Sequence, residues 1–185
     1  VLEKSVVSEL KDLNLEKAVF KTDFEKGKDS EKGFDKVTFL ISMNPGQPLR
    51  ELSKVASGGE LSRLMLGLKT VFASLQGTEL VIFDEIDTGI SGYAADKVGT
   101  QLKRVSRNRQ VICVTHLAQI AAMADNHLLI EKEERSGRTF TEVSPLEPEE
   151  RINEIARIMS GSEITENLYN SAKELLDRSN KNDNL

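Results

Sequence analysis

Ala56-Ser57-Gly58-Gly59-Glu60-Leu61-Ser62-Arg63 opens a helical run that reaches about Leu75. Leu61, Leu64, Met65, Leu68, Phe72 and Leu75 recur at helical spacing and predict one buried stripe. The first turn of such a helix carries unpaired backbone N–H groups and the positive end of the dipole, which suits phosphate. Ser57-x-x-Glu60 is also the pattern of a capping box, and a cap alone accounts for the serine and the glutamate. It does not account for Gly58 and Gly59. Glycine weakens a helix by roughly 1 kcal/mol relative to alanine. Two glycines at this place are explained if a ligand approaches the backbone closely.

Working outward, the segment upstream of this turn is a hairpin and its approach. Leu2, Val6, Leu10 and Leu13 lie on one face of a charged helix over residues 1–15, as in the last turns of a coiled-coil arm. Residues 18–24 and 37–41 alternate like strands around a polar stretch, Glu25 to Gly33, expected to be a turn or loop. Asn44-Pro45-Gly46-Gln47-Pro48 is a turn leading into the opening stretch.

Downstream, Leu80-Val81-Ile82-Phe83 is an unbroken apolar run ending in Asp84-Glu85. Such a run predicts a strand buried on both faces, as in a parallel sheet. A helix from about Tyr93 to Val105 precedes a second apolar run, Val111 to Val114, with His116 just beyond it. Two further strands, near 127–131 and 138–143, and two amphipathic helices complete the chain; Gly161 closes the first of those helices. The alternation of strand and helix implies an α/β fold with right-handed crossovers.

Ligands of open α/β sheets bind beyond the carboxyl ends of the strands. Asp84, Glu85 and His116 are therefore the candidate chemical groups. Neighbouring side chains on a strand point in different directions, so two adjacent carboxylates can do different work. One can hold Mg²⁺ through its oxygens, and the other can orient or deprotonate an attacking water. The alternative is that polar residues simply end a buried strand. His127 has no such context and reads as structural. Zinc-type spacings and a Gly-x-Ser-x-Gly elbow are absent.

The composition narrows the class. The chain has 185 residues, 38% hydrophobic and 30% charged, with a net charge of −5 and one cysteine. That describes a globular domain with a real core, in a reducing compartment, and not a dedicated basic nucleic-acid module. No apolar run is of membrane-spanning length, so no membrane partner is expected. Lys103, Arg104, Arg107 and Arg109 form a basic cluster. They suit either a DNA backbone or the negative end of their own helix.

Taken together, these residues resemble the ABC-type ATPases. Ser57-Gly58-Gly59-Glu60 is similar to their signature motif, and Leu80 to Glu85 to their Walker B strand. Asp87-Thr88-Gly89-Ile90-Ser91-Gly92 stands where they have a D-loop, and His116 where they have a switch histidine. Residues 56–63, 83–92 and 114–119 resemble, within that family, the SMC-like proteins of bacterial DNA double-strand-break repair. Ala118 departs from the proline expected there.

The resemblance implies an ABC/SMC-type P-loop NTPase head lobe: a mostly parallel sheet flanked by helices, with an N-terminal hairpin and C-terminal helices. Residues 1–15 are then the end of a coiled-coil arm and 16–185 the C-terminal lobe. No Gly-x-x-x-x-Gly-Lys-Ser/Thr occurs, so the phosphate loop is expected on a separate N-terminal Walker A lobe. The implied cofactors are ATP and Mg²⁺. Asp84 would hold the metal, Glu85 would activate water, and His116 would sense the γ-phosphate. Ser57, Gly58, Gly59 and Glu60 would bind the nucleotide of a second head, paired by ATP, with Asp87 communicating across the pair. DNA is the partner of the full-length protein, and the compartment is the cytoplasm, at the nucleoid. A transporter's nucleotide-binding subunit and a non-catalytic dimerisation module are the alternatives. A contiguous Walker A upstream would favour the first, and decay of Asp84, Glu85 or His116 the second.

Overall fold

The computed structural model describes residues 1–31, 33–55, 58–135, 137–161 and 163–181. They form two compact units, Val1–Val114 and Thr115–Leu185.

The first unit is built on a helix-and-hairpin core. Helix α1 (Leu2–Asp12) ends at Asn14, whose φ of 61° is the left-handed cap that asparagine tolerates. Strands β1 (Val19–Ser30) and β2 (Gly33–Ser42) pair antiparallel, and a short strand β3 (Arg50–Glu51) joins β2. The loop expected from Glu25 to Gly33 is mostly strand: pairing runs out through Glu25↔Lys36 and Lys26↔Asp35 and closes at Ser30↔Gly33. Alternating charges at these exposed positions leave backbone pairing intact, and Lys36 and Glu25 form an ion pair of 3.1 Å.

Helix α2 (Gly58–Gln76) lies against α1 and the hairpin. Val6, Leu10, Phe20, Ile41, Leu64, Leu68 and Val71 make the core. The expected stripe is only partly right. Leu64 and Leu68 are buried, but Met65 and Leu75 are exposed, and Leu66 is buried instead. Leu64 and Leu68 share the core with Val6 and Leu10 of α1. Gly67 lets the two helices approach closely, because a β-carbon there would stand 3.2 Å from Leu10 Cδ2.

Strands β4 (Leu80–Phe83) and β5 (Gln110–Cys113) pair parallel, in register Leu80↔Gln110 to Phe83↔Cys113. Helix α3 (Gly92–Ser106) makes the crossover between them. Burial of β4 on both faces does not occur within this chain. Val81 and Phe83 are buried, while Leu80 is 43% and Ile82 55% exposed. Ile112 and Val114 are likewise exposed. Among the described residues β4 and β5 pair only with each other, so the parallel part of the sheet is this single pair.

The second unit starts with α4 (Ala118–Ala121), followed by the antiparallel strands β6 (Leu128–Arg135) and β7 (Arg138–Pro145). Helices α5 (Pro148–Ser160) and α6 (Glu166–Lys181) complete it. Helix α5 starts with proline inside a capping box from Glu147 and Glu150, and ends on Gly161 at φ 70°. Ala118, Ala121, Ala122, Ile155, Ala156, Ala172 and Leu176 form its core. The small side chains let three helices approach closely, and the Ser179 hydroxyl donates to the Ala122 carbonyl at 2.8 Å.

Candidate functional site: the start of helix α2 and the loop after strand β4

The first unit brings two of the expected sequence segments into contact. The chain leaves β4 at Phe83 and turns sharply. Asp84 and Glu85 are exposed, while Ile86 and Asp87 are buried, Asp87 to 3%. Glu85 has φ 53°. A glutamate in the left-handed region costs on the order of 1–2 kcal/mol, and such strain is concentrated at functional positions. The Thr88 N–H donates to the Glu85 carbonyl at 3.2 Å, closing the turn.

That turn lies against the start of α2. A β-carbon on Gly59 would collide with the Gly89 carbonyl oxygen and stand 2.9 Å from its carbonyl carbon. One on Gly89 would stand 2.8 Å from the Gly59 nitrogen. The two glycines therefore touch backbone to backbone. Gly58 differs, because among the described residues nothing beyond its chain neighbours lies within 4 Å of a β-carbon built there. The explanation by close approach of a ligand thus fits Gly58 alone; Gly59 is required by the approach of the chain itself. Glu60 lies in the first turn of α2, half-buried. Ser57 and Ala56 lie outside the described residues.

Side chains reinforce the contact. The Ser62 hydroxyl lies 3.1 Å from the Gly58 carbonyl and 3.3 Å from the Thr88 carbonyl. Arg63 Nε donates to the Gly59 carbonyl at 3.1 Å, and its NH1 donates to the Leu13 carbonyl at 3.3 Å, so the turn is also tied to the end of α1. Helix α1 in turn holds α3. Arg104 pairs with Glu9 at 2.6 Å and with Asp12 at 2.9 Å, and Gln101 donates to Glu9. Arg104 is therefore engaged within the unit, and Arg109 donates to the Ser74 hydroxyl at 3.2 Å. Neither Ser62 nor Arg63 stood out in the sequence. The only one-dimensional signal was the serine four residues after Gly58, a common helical back-bonding position.

Cys113, at the end of β5, reports on the same region. Burial pushes its thiol up to about 12, with the negative charges of Asp87 and Asp84 adding to the effect. The carboxylates at the end of β4 thus project their field onto the neighbouring strand end. Among the described residues no cluster of three metal-ligating side chains exists. That is compatible with Mg²⁺, which takes one or two carboxylates and completes its shell with phosphate oxygens and water. Asp84 is an exposed carboxylate of this kind.

His116 falls in the second unit, exposed, outside regular secondary structure just before α4. The Thr115 hydroxyl beside it accepts the Leu117 N–H at 3.1 Å. Its meeting with Asp84 and Glu85 remains an expectation from sequence.

A scan of protein-family models gives no match. Curated proteins do match. The chain is 48% identical to the DNA repair protein RecN of Bacillus subtilis in an alignment of 184 residues that covers 91% of this chain and 32% of that protein. It is 48% identical to RecN of Halalkalibacterium halodurans in an alignment of 181 residues that covers 95% of this chain and 32% of that protein. This chain is a relative of RecN. It spans 32% of the length of these RecN proteins. RecN of Vibrio cholerae matches at 45% identity over 177 residues. Among solved structures, the Smc head domain of Pyrococcus yayanosii, with its coiled coil and joint, superposes with a TM-score of 0.67 at 19% identity. It covers 86% of this RecN-like chain and 29% of that one. A structure described under ATP-driven dimerization and DNA-stimulated activation of SMC ATPases superposes with a TM-score of 0.61 at 17% identity, covering 88% of this chain and 93% of that one. The fold is thus that of an SMC head lobe. No helix among the described residues is long and apolar enough to cross a membrane.

Proposed function

We propose that this chain is the C-terminal lobe of an SMC-like ATPase head that acts in DNA double-strand-break repair. The observation that carries this is the backbone contact between Gly59 and Gly89. Through it the start of α2, at Gly58 and Gly59, lies beside the loop that follows Asp84, Glu85 and Asp87. Similarity to proteins named for DNA repair supplies the biological setting.

In this reading Asp84 holds Mg²⁺ together with phosphate oxygens, and Glu85 orients and deprotonates the attacking water. The metal, when bound, offsets the charge of the phosphates. His116 contacts the γ-phosphate and registers its loss. Ser57, Glu60 and the Gly58 and Gly59 amides receive the nucleotide of a second head, where the dipole and N–H groups favour negative charge. Asp87 carries the state of one site toward the other.

The Walker A loop comes from a second lobe of the same protein. The exposed face of Leu80, Ile82, Ile112 and Val114 supports this, because parallel sheets are normally covered on both faces. Heads then pair with ATP between them, as the description of one structural neighbour says of SMC ATPases. DNA engages the assembled protein.

The test is hydrolysis. This chain alone is expected to turn over no ATP and to gain turnover when combined with the lobe that carries Walker A. Robust hydrolysis by the isolated chain sinks the split-head reading. In the full-length protein Glu85→Gln is expected to trap ATP-bound head pairs. Parental turnover by that variant removes Glu85 from its role.

A further inference from the structure

Ser62 sits one turn into α2 with its hydroxyl between two carbonyls. One acceptor, Gly58, belongs to its own helix. The other, Thr88, lies 26 residues away in the loop after β4. A serine hydroxyl has one proton, so it is shared between the two oxygens. Thr88 is itself tied to Glu85 through the Thr88 N–H and the Glu85 carbonyl. A short chain of contacts therefore runs from Gly58 through Ser62 and Thr88 to Glu85, and the Gly59–Gly89 contact lies beside it. Glu85 needs such support. At φ 53° its backbone is held away from the region a glutamate prefers, and release would swing the carboxylate.

We propose that Ser62 is a positioning residue for Glu85, and that through it the start of α2 and the Glu85 loop move as one body. This rests on the composite-site reading above. The start of α2 serves the nucleotide of the partner head, whereas Glu85 serves the nucleotide of its own head. Phosphate arriving at Gly58 is then felt at Glu85 of the same head. The two ATP sites of a head pair are linked, each through the head that stands between them.

The experiment uses the full-length protein with Ser62→Ala, Ser62→Thr and Glu85→Gln, with ATP as the probe. Steady-state hydrolysis is measured across ATP concentration, ATP-dependent pairing by sedimentation, and the thermal midpoint for each variant. Ser62→Ala is expected to lower kcat about five-fold, equivalent to ~1 kcal/mol. It is also expected to lower the Hill coefficient toward one, with KM and pairing unchanged. Ser62→Thr, which keeps the hydroxyl, is expected to restore both. The proposal is overturned if Ser62→Ala keeps the parental kcat and Hill coefficient, if its defect lies in KM or pairing, or if Ser62→Thr is equally impaired. Glu85→Gln separates the two levels. Parental hydrolysis by it defeats the composite-site reading itself. An inactive Glu85→Gln beside a parental Ser62→Ala leaves that reading standing and defeats only the role given to Ser62.

Discussion

Replacing Gly58 and Gly59 by alanine, one at a time, separates two reasons for a glycine. Both substitutions gain the same kind of backbone term, roughly 0.5–1 kcal/mol per glycine replaced. At Gly58 no heavy atom of the described residues, its chain neighbours aside, lies within 4 Å of the added β-carbon. At Gly59 the β-carbon meets the Gly89 carbonyl and stands 3.1 Å from Ile90 Cγ2. Ile90 can adjust, but a backbone carbonyl in a closed turn cannot move without carrying the turn with it. Overpacking of this kind costs about 1–3 kcal/mol. Gly59→Ala is therefore expected to be about 1–3 kcal/mol less stable than Gly58→Ala, and Gly58→Ala slightly more stable than the parent. Urea unfolding followed by circular dichroism gives the comparison, with m unchanged between variants. Hydrogen exchange of α2 peptides localises the effect. In the full-length protein the order reverses in meaning. Gly58→Ala, though stable, is expected to lose ATP-driven pairing, since its β-carbon occupies the open approach to the helix N-terminus. A Gly59→Ala variant as stable as Gly58→Ala would refute the backbone contact and, with it, the geometry on which the site is built.

Two further predictions concern strain and protons. Glu85→Asn is expected to stabilise the chain by about 1 kcal/mol, because asparagine tolerates the left-handed region, while abolishing hydrolysis in the full-length protein; a loss of stability in urea unfolding would contradict the strain. His127 is held below its ordinary pKa of 6.5 by burial, with Arg151 adding to the shift and Glu154 opposing it. A base whose folded pKa is depressed contributes stability above the unfolded value and loses it as pH falls toward the folded value. The second unit is thus expected to weaken on acidification below 6.5, and His127→Gln to flatten that slope in unfolding midpoints measured across the range. A slope that survives His127→Gln assigns it to another group.

The order of elements is determined locally, and the sequence carries it well. Helical periodicity, Asn14 and Gly161 at helix ends, and Pro148 at a helix start act over a few residues and need no partner. The apolar run before Asp84 and Glu85 marks a strand for the same reason. The β1–β2 hairpin is legible in the sequence but its length is not, because backbone pairing, not side-chain composition, decides how far exposed strands extend. Burial is not local at all. Leu80 and Ile82 are as apolar as Val81 and Phe83, yet they are exposed, because exposure depends on what packs against a face. Gly58 and Gly59 are indistinguishable as letters. Only the tertiary structure tells them apart, by bringing Gly89 against one and leaving the other open. Asp87 stands out in the sequence only by resemblance, and its burial to 3% exposure is decided by the fold. The sequence by itself determined which residue types stand at strand and helix ends. The fold decided which of those ends meet, because contact between distant segments is set by packing of the whole unit and leaves no periodic trace in the chain.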